Sequence, residues 1–145
     1  MDVSKFLTKD QQAAIVQAIG DAENNSSGEI RVHLESTCKG DVLDRATSIF
    51  KHLKMHKTAL RNGVLIYLSV QDRKFAILGD VGINIKVPDG FWDKIKDLMI
   101  SHFSKGEISV GLTDGILMIG EKLKTYFPIA PDDINELSNE ISFGA

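Results

Sequence analysis

Residues 64–70, Val-Leu-Ile-Tyr-Leu-Ser-Val, are apolar almost without a break, and only Gln71-Asp72-Arg73-Lys74 separates them from a second apolar run, Phe75-Ala76-Ile77-Leu78. A strand that is apolar on both faces has to be covered on both faces, so the first run reads as a central strand. The polar link is too short for a crossover, so the two runs form a hairpin and are antiparallel. Any fold for this chain has to be built around that hairpin.

Upstream, Glu29 to Glu35 alternates, with Ile30, Val32 and Leu34 on one face and Arg31, His33 and Glu35 on the other. That is the pattern of a half-covered strand. A helix capped by Asp41, with Leu43, Ala46, Phe50 and Leu53 on its apolar face, separates it from the central strand. Two strands joined by a helix are expected to be parallel, with a right-handed crossover. Thr8 and Gln11 make a capping-box pattern that opens a first helix from about Lys9 to Asn24, ended by Asn24-Asn25-Ser26-Ser27-Gly28. After the hairpin, Pro88-Asp89-Gly90 opens a third helix with Phe91, Ile95, Leu98 and His102 on one stripe, broken at Ser104-Lys105-Gly106. A fourth runs from about Ile108 to Tyr126, with Leu112, Ile116, Ile119 and Leu123 inward, and Pro128 and Pro131 stop it. The order α-β-α-β-β-α-α predicts an α/β fold, a three-layer α/β/α sandwich with a small mixed sheet. One domain is expected over residues 1–128, and 129–145 reads as an extended acidic tail. Neither an internal repeat nor a second domain is visible.

Composition narrows the function. The 145 residues are 43% hydrophobic and 26% charged, with a formal net charge of −3. No basic stripe interleaved with aromatics is present, which argues against nucleic acid as a partner. The lone Cys38 forms no internal disulfide and no multi-cysteine zinc site. Lys39 beside it could lower its pKa, but no catalytic His–Asn arrangement surrounds it. The start of the chain lacks a signal-peptide apolar region and no run approaches a membrane span, so the expected location is the cytoplasm, without direct membrane insertion.

The hairpin topology also assembles a candidate site. If strands 1 and 2 are parallel and 2 and 3 antiparallel, then Glu29, Asn62 and Asp80 share one rim of the sheet. The loop after Asp80 adds Asn84 and Asp89, and Gly79 and Gly82 let its backbone turn tightly. Hard oxygen donors of this kind suit calcium or magnesium better than zinc. Each residue also has a plainer reading: Asp89 as a helix cap, Asn62 and Asp80 as turn residues, Glu29 as a solvated strand end. Asp114 lies opposite an apolar stripe and reads as solvated. His52 and His56 have the spacing of a metal pair on a helix, but also sit where a helix end favours positive charge. Gly79-x-x-Gly82 is not a dinucleotide fingerprint, and Ser36, Ser69 and Ser109 lack a nucleophile-elbow context.

Three segments together, "GEIRVHLE", "RNGVLIYLSVQDRKFAILGDVGI" and "FSKGEISVGLTDGI", resemble the TPM domain family over most of the chain, from helix 1 to about Phe127. The resemblance implies an α/β/α sandwich, a divalent-cation site in an acidic cleft, roles in assembly and repair of membrane complexes, and a proposed weak acid-phosphatase activity in some members. The family often has an acidic residue before the Asn-Gly that starts the central strand, where this chain has Arg61. Its usual Gly-aromatic-Gly-Leu-Glu is here Gly79-Asp80-Val81-Gly82-Ile83. Arg61 is a candidate anion-binding residue, able to offset charge in the cleft or steady a phosphate. The function expected is a cation-binding interaction or assembly module, with the protein partner left open. The alternatives are a metal-dependent acid phosphatase of low activity and a purely structural partner-binding domain.

Overall fold

The central strand is buried at every position, as its unbroken apolar run requires. In the computed structural model, which describes residues 1–129 and 134–144, this strand is β2 (Gly63–Ser69). It pairs parallel with β1 (Glu29–Glu35) and antiparallel with β3 (Lys74–Gly79). Helices α1 (Lys9–Asn25), α2 (Val42–His52), α3 (Val81–Lys86), α4 (Asp93–Phe103) and α5 (Ile108–Leu123) surround the sheet. Thr8 and Gln11 cap α1 reciprocally, and the Asp41 side chain accepts from the Asp44 amide at the start of α2.

The period of two along each strand sorts side chains into two cores. Ile30, Val32, Val64, Ile66 and Ile77 face α1, α4 and α5. Leu65, Tyr67 and Ala76 face the other way, against Ala46, Ile49 and Phe50 of α2. The result is an α/β/α sandwich around a mixed sheet. Among the described residues no helix is long and apolar enough to cross a membrane.

The structure departs from the sequence reading in several places. The polar face of β1 is covered: His33 and Glu35 are buried, because Tyr67 and Arg45 give them partners in the interior. Leu43 points to solvent and Ile49 takes its place in the core. The segment after Asp80 is not an open loop but the short helix α3. Pro88-Asp89-Gly90 precedes the next helix without capping it, and α4 starts at Asp93 with Trp92 at its N-cap. Asp114 is half exposed, with its carboxylate 3.2 Å from His102 Nε2.

The segment read as a tail, over its described part, lies against the body. Ser142–Phe143 forms a fourth strand, β4, parallel to β1, so the sheet order is β3-β2-β1-β4. Ile141 and Phe143 pack on the α1 side while Ser142 faces His33. The Gly144 amide donates to Leu34 O at 2.8 Å. Pro131, expected to stop the last helix, lies outside the described residues.

Candidate functional site

The strand register brings one set of residues to a common rim. Glu29 stands opposite Gly63, and Val64 opposite Gly79. The Glu29 amide donates to Asn62 O at 3.2 Å, and the Asp80 amide to Gly63 O at 2.9 Å. Glu29, Asn62 and Asp80 therefore sit side by side along the start of β1, the start of β2 and the end of β3.

Their side chains are engaged differently. Asn62 is buried and donates through Nδ2 to Ser27 O at 3.0 Å, which ties the rim to the turn after α1. Asp80 caps α3, accepting from the Val81 amide at 2.7 Å. It is also gripped by Arg61, with Nε to Oδ2 at 2.8 Å and Nη2 to Oδ1 at 2.9 Å. This two-pronged pair holds the Arg61 pKa above its ordinary value and places a guanidinium where a metal bound to Asp80 would lie. Asn84 is exposed and donates to Gly79 O at 2.9 Å. Asp89 is exposed and lines a separate depression with Lys94, Lys122 and Tyr126.

The two glycines flanking Asp80 serve packing. A Cβ at Gly82 would overlap the carbonyl oxygens of Leu60 and Arg61, and one at Gly79 would stand 2.8 Å from Cζ2 of Trp92. The Gly82 amide donates to Arg61 O at 2.9 Å. The close approach that Gly82 permits docks α3 onto the turn before β2.

On the other half of the rim Glu29 meets a residue that the sequence reading passed over, Glu23. The Glu29 carboxylate accepts from the amides of Glu136 and Leu137, the latter at 2.7 Å. Glu23 Oε2 accepts from the Ile30 amide at 3.3 Å. Burial pushes both carboxyl groups up, Glu23 to about 7, with the neighbouring Glu29 charge adding to the rise at Glu23. Both line a concavity of about 460 Å³ that also carries Asp21, Asn24, Asn135 and Asn139 and, among the described residues, has no Lys, Arg or His in its wall. Among the described residues no three His, Cys, Asp or Glu side chains group closely enough to hold a metal by themselves. A cation here would take two carboxylates and complete its shell with amide, carbonyl or water oxygens, a donor set that calcium accepts. In sequence, the only sign of Glu23 was its place in the last turn of α1.

A second buried polar cluster was also missed. Glu35 accepts from Arg45, with Nε at 3.0 Å, and from Tyr67 OH at 2.5 Å, and its Oε1 lies 3.1 Å from His33 Nε2. Burial works to raise the Glu35 pKa, but the hydrogen bonds from Arg45, Tyr67 and His33 outweigh it and hold the group down at about 2. His33 stacks on Tyr67 at 5.9 Å, and its Nδ1 is 2.9 Å from Ser142 Oγ. Burial lowers the His33 pKa. The cluster stitches β1, β2, α2 and β4 together. The alternation of polar residues in β1 was its signal in the sequence, and only the burial was illegible.

The remaining singled-out groups stand apart. Cys38 is buried, its amide donating to Asp72 Oδ2 at 2.8 Å. His52 ends α2, and Lys54 in the left-handed region separates it from the turn that carries His56, so the two imidazoles do not share a helix face.

The chain matches the model of the family described as the TPM domain over residues 1–122. Among solved structures it is similar to the BA42 protein of the psychrophilic bacterium Bizionia argentinensis, at 53% identity over 96% of each chain with a TM-score of 0.92. The N-terminal domain of a P. gingivalis protein is 23% identical, over 83% of this chain and 78% of that one, with a TM-score of 0.69. The N-terminal domain of the cg2496 protein of Corynebacterium glutamicum is 14% identical, over 96% and 80%, with a TM-score of 0.62. The last two share the fold. No curated protein matches the chain significantly.

Proposed function

The chain belongs to the TPM domain family, and on that premise we propose that it is a divalent-cation-binding interaction module, with the cation held at the Glu23–Glu29 end of the rim. One observation carries the reading. Two carboxyl groups with raised pKa values line one concavity that, among the described residues, has no cationic side chain in its wall. Such a pair repels itself when ionised, and a cation is what relieves the repulsion. Calcium fits better than magnesium, because amide and carbonyl oxygens make an irregular shell and magnesium demands a near-octahedral one. The ligands would come from α1, β1 and the 134–139 segment. A cation there ties three parts of the surface together, which suits assembly more than turnover.

Asp80, with Asn62 and Asn84 near it, is a second cation position only when Arg61 lets go. A metal-dependent phosphatase of low activity is the alternative reading. It is favoured by the cleft of about 380 Å³ where Lys51, His56 and Arg61 can meet a phosphoryl group. It needs the metal beside Asp80, which the guanidinium now occupies.

The test is a calcium and magnesium titration followed by amide NMR. Saturable calcium shifts over residues 21–30 and 134–139, abolished in Glu23→Gln and Glu29→Gln, are expected. Shifts over 80–90 instead would move the cation to Asp80. No shifts would remove the cation from the reading. Turnover of p-nitrophenyl phosphate that is calcium-dependent and lost in Arg61→Ala would establish the phosphatase instead.

A further inference from the structure

Strand β3 is an edge of the sheet, since the order is β3-β2-β1-β4. Its hydrogen-bonding direction follows from one bond. Asp80 N donates to Gly63 O, so the pairs Leu78–Leu65, Ala76–Tyr67 and Lys74–Ser69 exchange hydrogen bonds, and Phe75, Ile77 and Gly79 turn their amides and carbonyls outward. The Gly79 carbonyl is taken by Asn84. Among the described residues, no further strand faces the outward backbone groups of Phe75 and Ile77. An edge of this kind is a template for another strand unless something blunts it.

Two concavities flank that edge, one on each face. On the α4–α5 face a groove of about 540 Å³ is lined mainly by Leu68, Val70, Phe75, Ile100 and Phe103, with the Arg73 side chain also in its wall. Phe75 and Phe103 meet edge to face there at 5.2 Å, and Ile100 is 52% exposed. On the α2 face the cleft beside Leu78 and Gly79 is floored by Phe50 and rimmed by Lys51, His56 and the Arg61–Asp80 pair. The two concavities therefore carry Lys51, His56 and Arg73 besides the Arg61–Asp80 pair, on a chain whose net charge is negative.

We infer that β3 receives an extended segment of a partner protein as an added strand, a segment in which apolar residues alternate with Asp or Glu. Side chains of an added strand alternate between faces with period two. Apolar residues would fall into the groove by Phe75, Ile100 and Phe103, and acidic ones would lie toward Lys51. Main-chain bonds to Phe75 and Ile77 supply affinity, and side-chain contacts in the two concavities fix the register. The inference gives the interaction reading a partner chemistry but uses none of the Glu23–Glu29 carboxylates, so it stands whether or not a cation binds there.

The probe is an acetylated, amidated decapeptide of alternating valine and glutamate, titrated into the full chain and followed by amide NMR and hydrogen exchange, with calcium and with EDTA. Saturable shifts centred on residues 73–79, and slowed exchange of the Phe75 and Ile77 amides, are expected in both buffers. The valine–lysine peptide and a version interrupted by proline, which cannot complete the ladder, are expected to bind at least about ten-fold more weakly. Lys51→Glu and Ile100→Glu change exposed positions on the two faces, and each is expected to weaken binding about ten-fold. Equal binding of the proline version would overturn strand addition, and indifference to Lys51→Glu would overturn the acidic partner. The absence of shifts at 73–79 up to about 1 mM peptide would overturn the site. Shifts at the same amides that track the protein's own concentration would make the occupant a second copy and overturn the partner. Loss of the cation response with peptide binding intact would defeat the proposed function and leave this inference standing.

Discussion

Gly82 carries more of the rim than Asp80 does. Its missing side chain lets α3 sit on the carbonyls of Leu60 and Arg61, and that contact brings Arg61 round to Asp80. Gly82→Ala has to push those carbonyls away, and a stability loss of about 2 kcal/mol in urea unfolding is expected. The same substitution should release Arg61, read as a shift of its Nε signal. A normal urea midpoint would show that α3 can move without cost. At this scale the sequence was only partly legible. A carboxylate between two glycines looks the same whether it awaits a cation or already holds an arginine, because the partner's direction depends on the left-handed backbone at Arg61.

At the scale of elements, β4 is the part that sequence patterning could not show. Two residues are too few for a period to be read, and the chain around them is acidic and sparse in apolar residues. What holds the strand is tertiary: Phe143 and Ile141 against the α1-side core, Ser142 on His33, and Gly144 passing so close over Glu35 that a Cβ there would overlap the carboxylate. Phe143→Ser removes the apolar anchor and is expected to cost about 1 kcal/mol. Hydrogen exchange should report it locally. The Gly144 amide is expected to lose protection while the amides of β2 keep theirs. Loss of protection throughout the sheet would mean that β4 belongs to the global folding unit. The longer elements were legible because each repeats its signal: the apolar run of β2, the alternation of β1, the reciprocal cap of α1.

At the scale of the whole molecule, the two buried carboxylate clusters set opposite limits on pH. Glu23 in the folded chain has a pKa of about 7 against 4.5 in a free carboxyl group. The folded state therefore holds that proton more tightly, and stability falls as pH rises from about 4.5 towards 7. Glu35 is held at about 2, so its contribution is complete above 4.5 and is lost as pH falls towards 2. In calcium-free buffer the urea midpoint is expected to peak near pH 5, with the upper limb flattened in Glu23→Gln. Calcium should flatten it as well, because the cation and the proton compete for the same carboxylates. An upper limb unchanged in Glu23→Gln would mean that Glu23 titrates as an ordinary surface carboxyl group.

What the sequence determined by itself was the sandwich. The layer order, the antiparallel hairpin, the parallel crossover and the shared rim of Glu29, Asn62 and Asp80 all follow from periodicities of two and 3.6 and from the length of one link, which are local properties of the chain. Packing between distant parts of the chain settles which charges are paired and which are left facing a cavity. Arg61 closes on Asp80, Arg45 and Tyr67 close on Glu35, and Glu23 and Glu29 are left facing a shared concavity. The physical reason is that pairing depends on distance and burial between residues far apart in the chain. Residues 35 and 67, or 29 and 137, carry no mark in sequence of being neighbours.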